Sequence, residues 1–246
     1  MDIIVTIFNE TLARPLFNLL VWVYNIIPGH DLGVAIIVVT VLLRIILYPL
    51  SDKALKSQKI LQELQPKIKE LQKKCKTKEE QAKVTMEFYK HYKINPFSGC
   101  LPILIQLPLL IALYRVFLTG LEPHSLDSLY GFISSPGELN PMFMGLVNLS
   151  EPSHFFAVLA GVSQFLQAKT AFQPKKDAPK SGIPDFSASM SKSMIYMMPL
   201  FMVFIAWNLP AGLSLYWVAT MLFSLGQQIV VNRKTYAYAG NIKHNK

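Results

Sequence analysis

Residues able to carry covalent, metal or proton chemistry are few in this chain and badly placed for it. The five histidines fall at positions 30, 91, 124, 154 and 244, all outside or at the edges of the apolar stretches. No Asp or Glu interrupts an apolar stretch, so a Ser/His/Asp constellation or a carboxylate relay lacks its parts. Cys75 and Cys100 belong to no Cys-x-x-Cys or Cys-x-x-His pair, which removes zinc and thiol redox chemistry. One residue stands out instead. Arg44 lies inside the apolar run 32–50, where a charge costs about 2.5–3.5 kcal/mol on insertion scales. Thr40 lies one turn before it on the same helical face. Gln106, Gln164, Gln167, Thr220, Ser224, Gln227 and Gln228 add amides and hydroxyls to the other apolar stretches. Such a set can hydrogen-bond and attract charge; it makes and breaks no bonds. No catalytic residue and no cofactor is expected.

The elements that must hold these residues follow from composition. Of 246 residues, 52% are hydrophobic and 16% charged, against about 25% charged in a soluble domain. Mean hydropathy is +0.33. A membrane-spanning helix takes about 20 mostly apolar residues. Spans are expected at 32–50, 99–119, 152–170, 193–207 and 212–231. The last two come from one uncharged stretch, 193–232, broken at 208–211 by an Asn-Leu-Pro-Ala turn. The expected fold is an all-α integral membrane protein with five transmembrane helices, a cytosolic helical hairpin and an N-terminal interfacial helix.

Charge orients the spans. Segment 51–98 holds 12 Lys, 171–192 most of a second basic cluster, and the tail 232–246 holds 3 Lys and 1 Arg. Five spans place these three segments on one side. The other side, 1–31 with 120–151, keeps Arg14 as its one basic residue against seven acids: Asp2, Glu10, Asp31, Glu122, Asp127, Glu138 and Glu151. The N-terminus is therefore expected outside and the C-terminus in the cytosol. The net charge of +9 then reflects topology and anionic lipid rather than nucleic-acid readout.

Within 1–31, Leu12, Leu16, Leu19, Leu20, Val23 and Ile27 share one helical stripe, with Arg14, Asn18 and Asn25 elsewhere. That pattern predicts an amphipathic helix lying on the outer surface. In 51–98, Leu61, Leu64, Ile68, Leu71 and Cys75 repeat at 3-4-3-4 spacing, a coiled-coil seam. Thr77 and Glu80 form a capping box for a second helix bearing Val84 and Phe88. Pro66 is expected to bend or break the first helix. The outer loop 120–151 carries no useful signal, and 171–192 reads as a flexible Pro/Ser/Lys-rich loop.

Depth ties the polar residues together. With this orientation Arg44, Gln106, Gln164, Gln167 and the stripe from Thr220 to Gln228 all fall in the cytosolic half of the bilayer. A channel needs polarity through the full thickness, and an intramembrane enzyme needs a His or carboxylate near the inner interface. The pattern describes a hydrated pocket open to the cytosol. The rival is an Arg44 that snorkels to the inner headgroups.

Four motifs then point to a family. RIILYPL (44–50), LQELQPKIKELQKK (61–74), NPFSGCLPILIQLP (95–108) and NLPAGLSLYW (208–217) occur in order, and the chain resembles the YidC-type membrane protein insertases over about residues 10–235. The resemblance implies a five-helix core whose inner-leaflet groove receives nascent hydrophobic segments, in a bacterial inner (plasma) membrane. It matches Arg44 to the groove arginine, places Gln164 and Trp217 on groove-lining positions, and equates 51–98 with a mobile cytosolic hairpin. Nascent membrane proteins and lipids are the implied partners, with the ribosome, a Sec-type translocon and signal-recognition targeting machinery as candidates. A tail of about 14 residues argues against strong tail-mediated ribosome docking.

Overall fold

The computed structural model describes residues 2–75, 77–91, 101–119, 123–171 and 186–244. Cys100, the 95–100 part of its motif and most of the loop 171–192 lie outside the described residues.

The chain opens with an unbroken helical run: α1 (Asp2–Phe8), a π-helical turn (Asn9–Ala13) and α2 (Arg14–Ile26). The segment is more than a helix resting on a surface by one apolar stripe. α2 packs against α3 and α6, defined below, and buries Leu16, Phe17, Asn18, Leu20, Val21, Val23 and Tyr24. Its buried face is wider than the stripe predicts because residues 126–140 fold over it. Asn18, placed off the stripe by periodicity, is 1% exposed.

A turn with left-handed Gly29 and His30 leads to Asp31, whose Oδ1 accepts from Val34 N–H at 2.9 Å and caps α3 (Leu32–Ile46). The expected first span, 32–50, does not run through as one helix. The axis turns by 67° at Leu47, and α4 (Tyr48–Gln72) begins there. Pro49 explains the break: it has no N–H to give Ile45, and its ring crowds that carbonyl. Pro66, by contrast, leaves α4 helical on both sides, so the expected break is not there. α4 returns past the bundle, burying Ala54 and Leu55, before pairing with α5 (Lys78–His91). In that hairpin Ile68 is buried, and Gln72 Nε2 donates to Thr85 Oγ1 at 2.9 Å. Glu80 N–H donates to Thr77 Oγ1 at 3.2 Å, and Thr77 N–H to Glu80 Oε2 at 3.4 Å, which caps α5. Partial burial raises the pKa of the Tyr89 phenol above its ordinary value.

Four more helices follow: α6 (Leu101–Thr119), α7 (His154–Ala171), α8 (Phe186–Ala206) and α9 (Ala211–His244). α9 continues as helix past Val231, so the division between last span and tail at 231/232 is not a structural boundary. Among the described residues one helix alone, Ala211–Val231, is long and apolar enough to cross a membrane. α3 reaches that length only as a bent pair with the start of α4, and Gln106–Phe117 and Ser193–Ala206 are shorter apolar helices.

α9 lies at the centre, packed on α7 and α3, while α8 packs mainly on α7. The α7–α8 contact is close because Gly161 has no side chain; a Cβ there would overlap Val203. The starts of α3, α7 and α9 meet the ends of α6 and α8 at one end of the bundle. There the Phe117 ring fills the space left by Gly212, and His154 stacks on Trp207 with centroids 4.1 Å apart. The segment between α6 and α7, silent in the sequence, covers this end. It contains a 3-10 turn (Pro123–Ser128) and a two-stranded ladder, β1 (Met142–Phe143) with β2 (Val147–Asn148). Leu149 is fully buried, its carbonyl accepting from Gly212 N–H at 3.0 Å.

Candidate functional site

Arg44 stands twelve residues into α3, about 18 Å along the axis from Leu32 and three residues before the bend. At that place a long cation can either reach past the end of the helix or turn inward. It turns inward: Arg44 Nη2 donates to Gln106 Oε1 of α6 at 2.5 Å. A guanidinium offers no acceptor, so the Gln106 amide must present its oxygen and its NH2 faces away. That Nε2 donates to the Tyr216 hydroxyl of α9 at 2.6 Å. Three helices are joined by one chain of hydrogen bonds, in which each bond polarises the next.

Tyr216 is the member the sequence reading missed. It is 2% exposed, and in the run Leu213-Ser214-Leu215-Tyr216-Trp217 it reads as an ordinary core aromatic. The available signal was helical spacing. Tyr216, Thr220 and Gln227 fall on one face of α9, continuing the polar stripe to within two turns of the helix start. Ser214, nearer still to that start, is also buried.

The other expected residues divide into two groups. Gln164 and Trp217 are brought together, Trp217 Nε1 donating to Gln164 Oε1 at 3.0 Å between α9 and α7, and both are half-buried. Gln167, one turn further along α7, is half-buried as well. Thr40 and Thr220 do not line an open surface. Thr40 is 2% exposed, and its hydroxyl donates to Ile36 O of its own helix at 2.6 Å. Thr220 is fully buried, close to the Tyr216 phenol but without a well-formed hydrogen bond. Both back the site from behind. Near the bend, Gln227 Nε2 approaches Tyr48 O at 3.5 Å and ties α9 to the α3–α4 junction.

The charge balance of this site is its main chemical property. Among the described residues no carboxylate lies within ion-pair distance of Arg44, whereas Arg14 pairs with Glu10 and Lys56 with Asp52. Neutral partners solvate the guanidinium without cancelling its charge. A second arginine, Arg115 on α6, is turned toward the N-terminal helix, donating to Asn9 Oδ1 in the π-helical turn and lying over the Phe8 ring. A separate cavity of 310 Å³ on α8, lined by Ser193, Met194, Met197, Met198 and Phe201, includes none of these residues. No group of three or more His, Cys, Asp or Glu side chains suited to a metal occurs among the described residues.

The chain has counterparts among known proteins. Residues 22–238 match the model of the 60Kd inner membrane protein family. The chain belongs to that family. It is 36% identical over 227 residues to the membrane protein insertase YidC of Syntrophus aciditrophicus, covering 91% of this chain and 36% of that protein. It is 35% identical to the YidC insertase of Fusobacterium nucleatum subsp. nucleatum, over 83% of this chain and 87% of the relative. A crystal structure described as an active YidC insertase with its first transmembrane domain resolved superposes with a TM-score of 0.58. There the identity is 25%, over 89% of this chain and 45% of the other. This member of the 60Kd inner membrane protein family thus spans about a third of the Syntrophus relative and most of the Fusobacterium one.

Proposed function

We propose that this chain is a membrane protein insertase. It receives nascent hydrophobic segments in a hydrated groove of the inner leaflet, open to the cytosol, and releases them laterally into the bilayer. The observation that carries the reading is Arg44, half-buried among three helices and, among the described residues, held by neutral groups alone. An arginine placed for stability is ordinarily paired, because an uncompensated buried charge is costly. One that keeps its net charge attracts an acidic or polar substrate stretch and lets it go. Release needs weak binding, and the apolar substrate span then gains roughly 25 cal/mol per Å² on entering lipid. No covalent step is required, so the chain is not an enzyme in this reading. Arg44, Gln106, Gln164, Gln167 and Trp217 form the contact surface, with Thr40 and Thr220 behind it. The insertase names of the two relatives support the assignment.

The protein is placed in a bacterial inner membrane with five spans, its N-terminus outside and its C-terminus cytosolic. The meeting of three helix starts with two helix ends at one end of the bundle supports that alternation. So does the basic charge of the segments assigned to the other side. Its partners are nascent membrane proteins and lipids; ribosome, Sec-type translocon and signal-recognition machinery are candidates for direct binding assays.

Liposomes containing only this protein should integrate a short single-span substrate into a protease-protected form. Protection no greater than in empty liposomes would overturn the proposal. Orientation has its own test. An impermeant maleimide should label Cys75 in inverted vesicles and leave it unlabelled in intact cells; labelling in intact cells reverses the topology.

A further inference from the structure

The β1–β2 hairpin points to a lipid contact that the insertase reading does not require. It is a rigid element. Its two strands pair Met142 with Asn148 and Phe143 with Val147. Phe143 fills the notch left by Gly33 in the first turn of α3, where a Cβ would overlap its ring, and meets Phe156 in the first turn of α7 at 6.2 Å. Met144 N–H donates to Asp31 Oδ2 at 2.5 Å, so the residue that caps α3 also holds the tip. Just beyond β2, Gly212 N–H of α9 donates to Leu149 O. Three apolar helices therefore begin at the level of this hairpin, which sets its depth at the boundary between headgroups and acyl chains.

The tip is built against local preference. Met144 has φ 51° and Gly145 φ 68°, and Leu146 N–H donates to Phe143 O at 2.9 Å. A tight turn with two left-handed residues ordinarily takes Asn-Gly. Here a methionine occupies the strained position and is 66% exposed, while Leu146 is 82% exposed. α7, whose first turn meets the hairpin through Phe156 and Phe143, also presents an uncovered apolar face of Phe155, Val158, Val162 and Leu166. Trp207, at the end of α8, lies at the same end, as interfacial aromatics do.

We propose that the hairpin is a depth anchor, with Met144 and Leu146 inserted among the upper acyl chains of the leaflet bordering this end of the bundle. A long-stemmed Met and a Leu on a rigid two-strand mount suit a fluid hydrocarbon surface, to which no fixed complementary shape need be offered.

The test uses the full chain with both native cysteines replaced by serine, reconstituted in phosphatidylethanolamine–phosphatidylglycerol liposomes. An environment-sensitive fluorophore is attached at Leu146→Cys or, separately, Met144→Cys. Val162→Cys on α7 serves as the lipid reference and Lys83→Cys on α5 as the water reference. The expected result is quenching at both tip sites by a spin label near the top of the acyl chain, within about twofold of Val162. Iodide present on both sides should quench the tip labels far less than the Lys83 label. Tip labels that behave like Lys83 would overturn the proposal, while Val162 would still report a protein correctly embedded. Should the tip be shielded only in native membranes and wet in the purified liposomes, its occupant is another protein and the lipid anchor is refuted.

Discussion

Arg44→Ala is expected to reduce insertion of a substrate bearing an acidic segment by about 10- to 100-fold, the worth of a charge-assisted hydrogen bond of roughly 1.5–3 kcal/mol. Arg44→Lys should keep much of the activity, since charge and reach matter more here than a bidentate fork. Both variants should integrate and fold, because removing an unpaired charge from an apolar region relieves a cost. Substrates without polar or acidic flanks should be affected least. The measurement is the insertion rate in liposomes for a pair of substrates differing only in that flank. Wild-type rates for both substrates with Arg44→Ala would make the arginine a structural anchor.

Gln106 sharpens the same prediction. Its carbonyl oxygen is 2.5 Å from Arg44 Nη2. Gln106→Glu puts a carboxylate at that place, turning a solvated cation into a neutral ion pair. If Arg44 is present for structure, this change completes a missing pair and activity should stay. If Arg44 works by its net charge, Gln106→Glu should lower insertion nearly as far as Arg44→Ala while the protein stays at least as stable. Tyr216→Phe is the graded control: it keeps ring packing and removes the acceptor for Gln106 Nε2, loosening the amide without changing the charge. Its effect should be several-fold smaller.

Much of this arrangement is legible in the sequence, for reasons that can be stated residue by residue. Arg44 is conspicuous because an apolar run makes any charge costly, and Gln106 and Gln164 are conspicuous for the same reason in weaker form. The capping box at Thr77 and Glu80 is local chemistry, complete within four residues. Tyr216 escapes notice because a phenol in an apolar run satisfies either a core or a polar role. Only its helical register with Thr220 separates the two. The bend at Leu47 is encoded by Pro49, yet Pro66 in the same helix produces no break. Both prolines lose a hydrogen bond; at Pro49 the chain also leaves the bundle axis for α4, and the break falls where the direction changes. Hydropathy cannot see that turn, since Leu47 to Leu50 are apolar on either path. The fold of 126–152 is invisible for another reason: its contacts are with α2, α3 and α9, far away in the chain.

Asn18 carries the largest expected effect on stability, and it lies in that same invisible region. Its Nδ2 donates to Arg14 O at 2.9 Å and to Ser128 O at 3.2 Å, and its Oδ1 accepts from Tyr130 N–H at 2.7 Å. One amide thus fastens the loop after α6 to α2, with Arg14 adding a bond to Ser128 O and a guanidinium over the Tyr130 ring at 5.2 Å. Asn18→Leu keeps the branched shape but strands the Tyr130 N–H, at about 1–3 kcal/mol for a donor left without a partner, while Ser128 O keeps its bond from Arg14 Nε. A loss of about 1–3 kcal/mol is expected, read as a lower apparent Tm in detergent and as faster proteolysis between residues 126 and 140. Asn18→Asp should be worse, because it keeps the acceptor for Tyr130 but turns an anion or a misplaced proton toward two carbonyls. An Asn that merely faced solvent on an interfacial helix would tolerate either change within about 0.5 kcal/mol. Insertion by Asn18→Leu, measured at low temperature where the fold persists, should match wild type, since none of its bonds reaches Arg44. A variant that stays fully stable returns α2 to the surface role read from its stripe, and one that folds but fails to insert joins the outer cap to the groove.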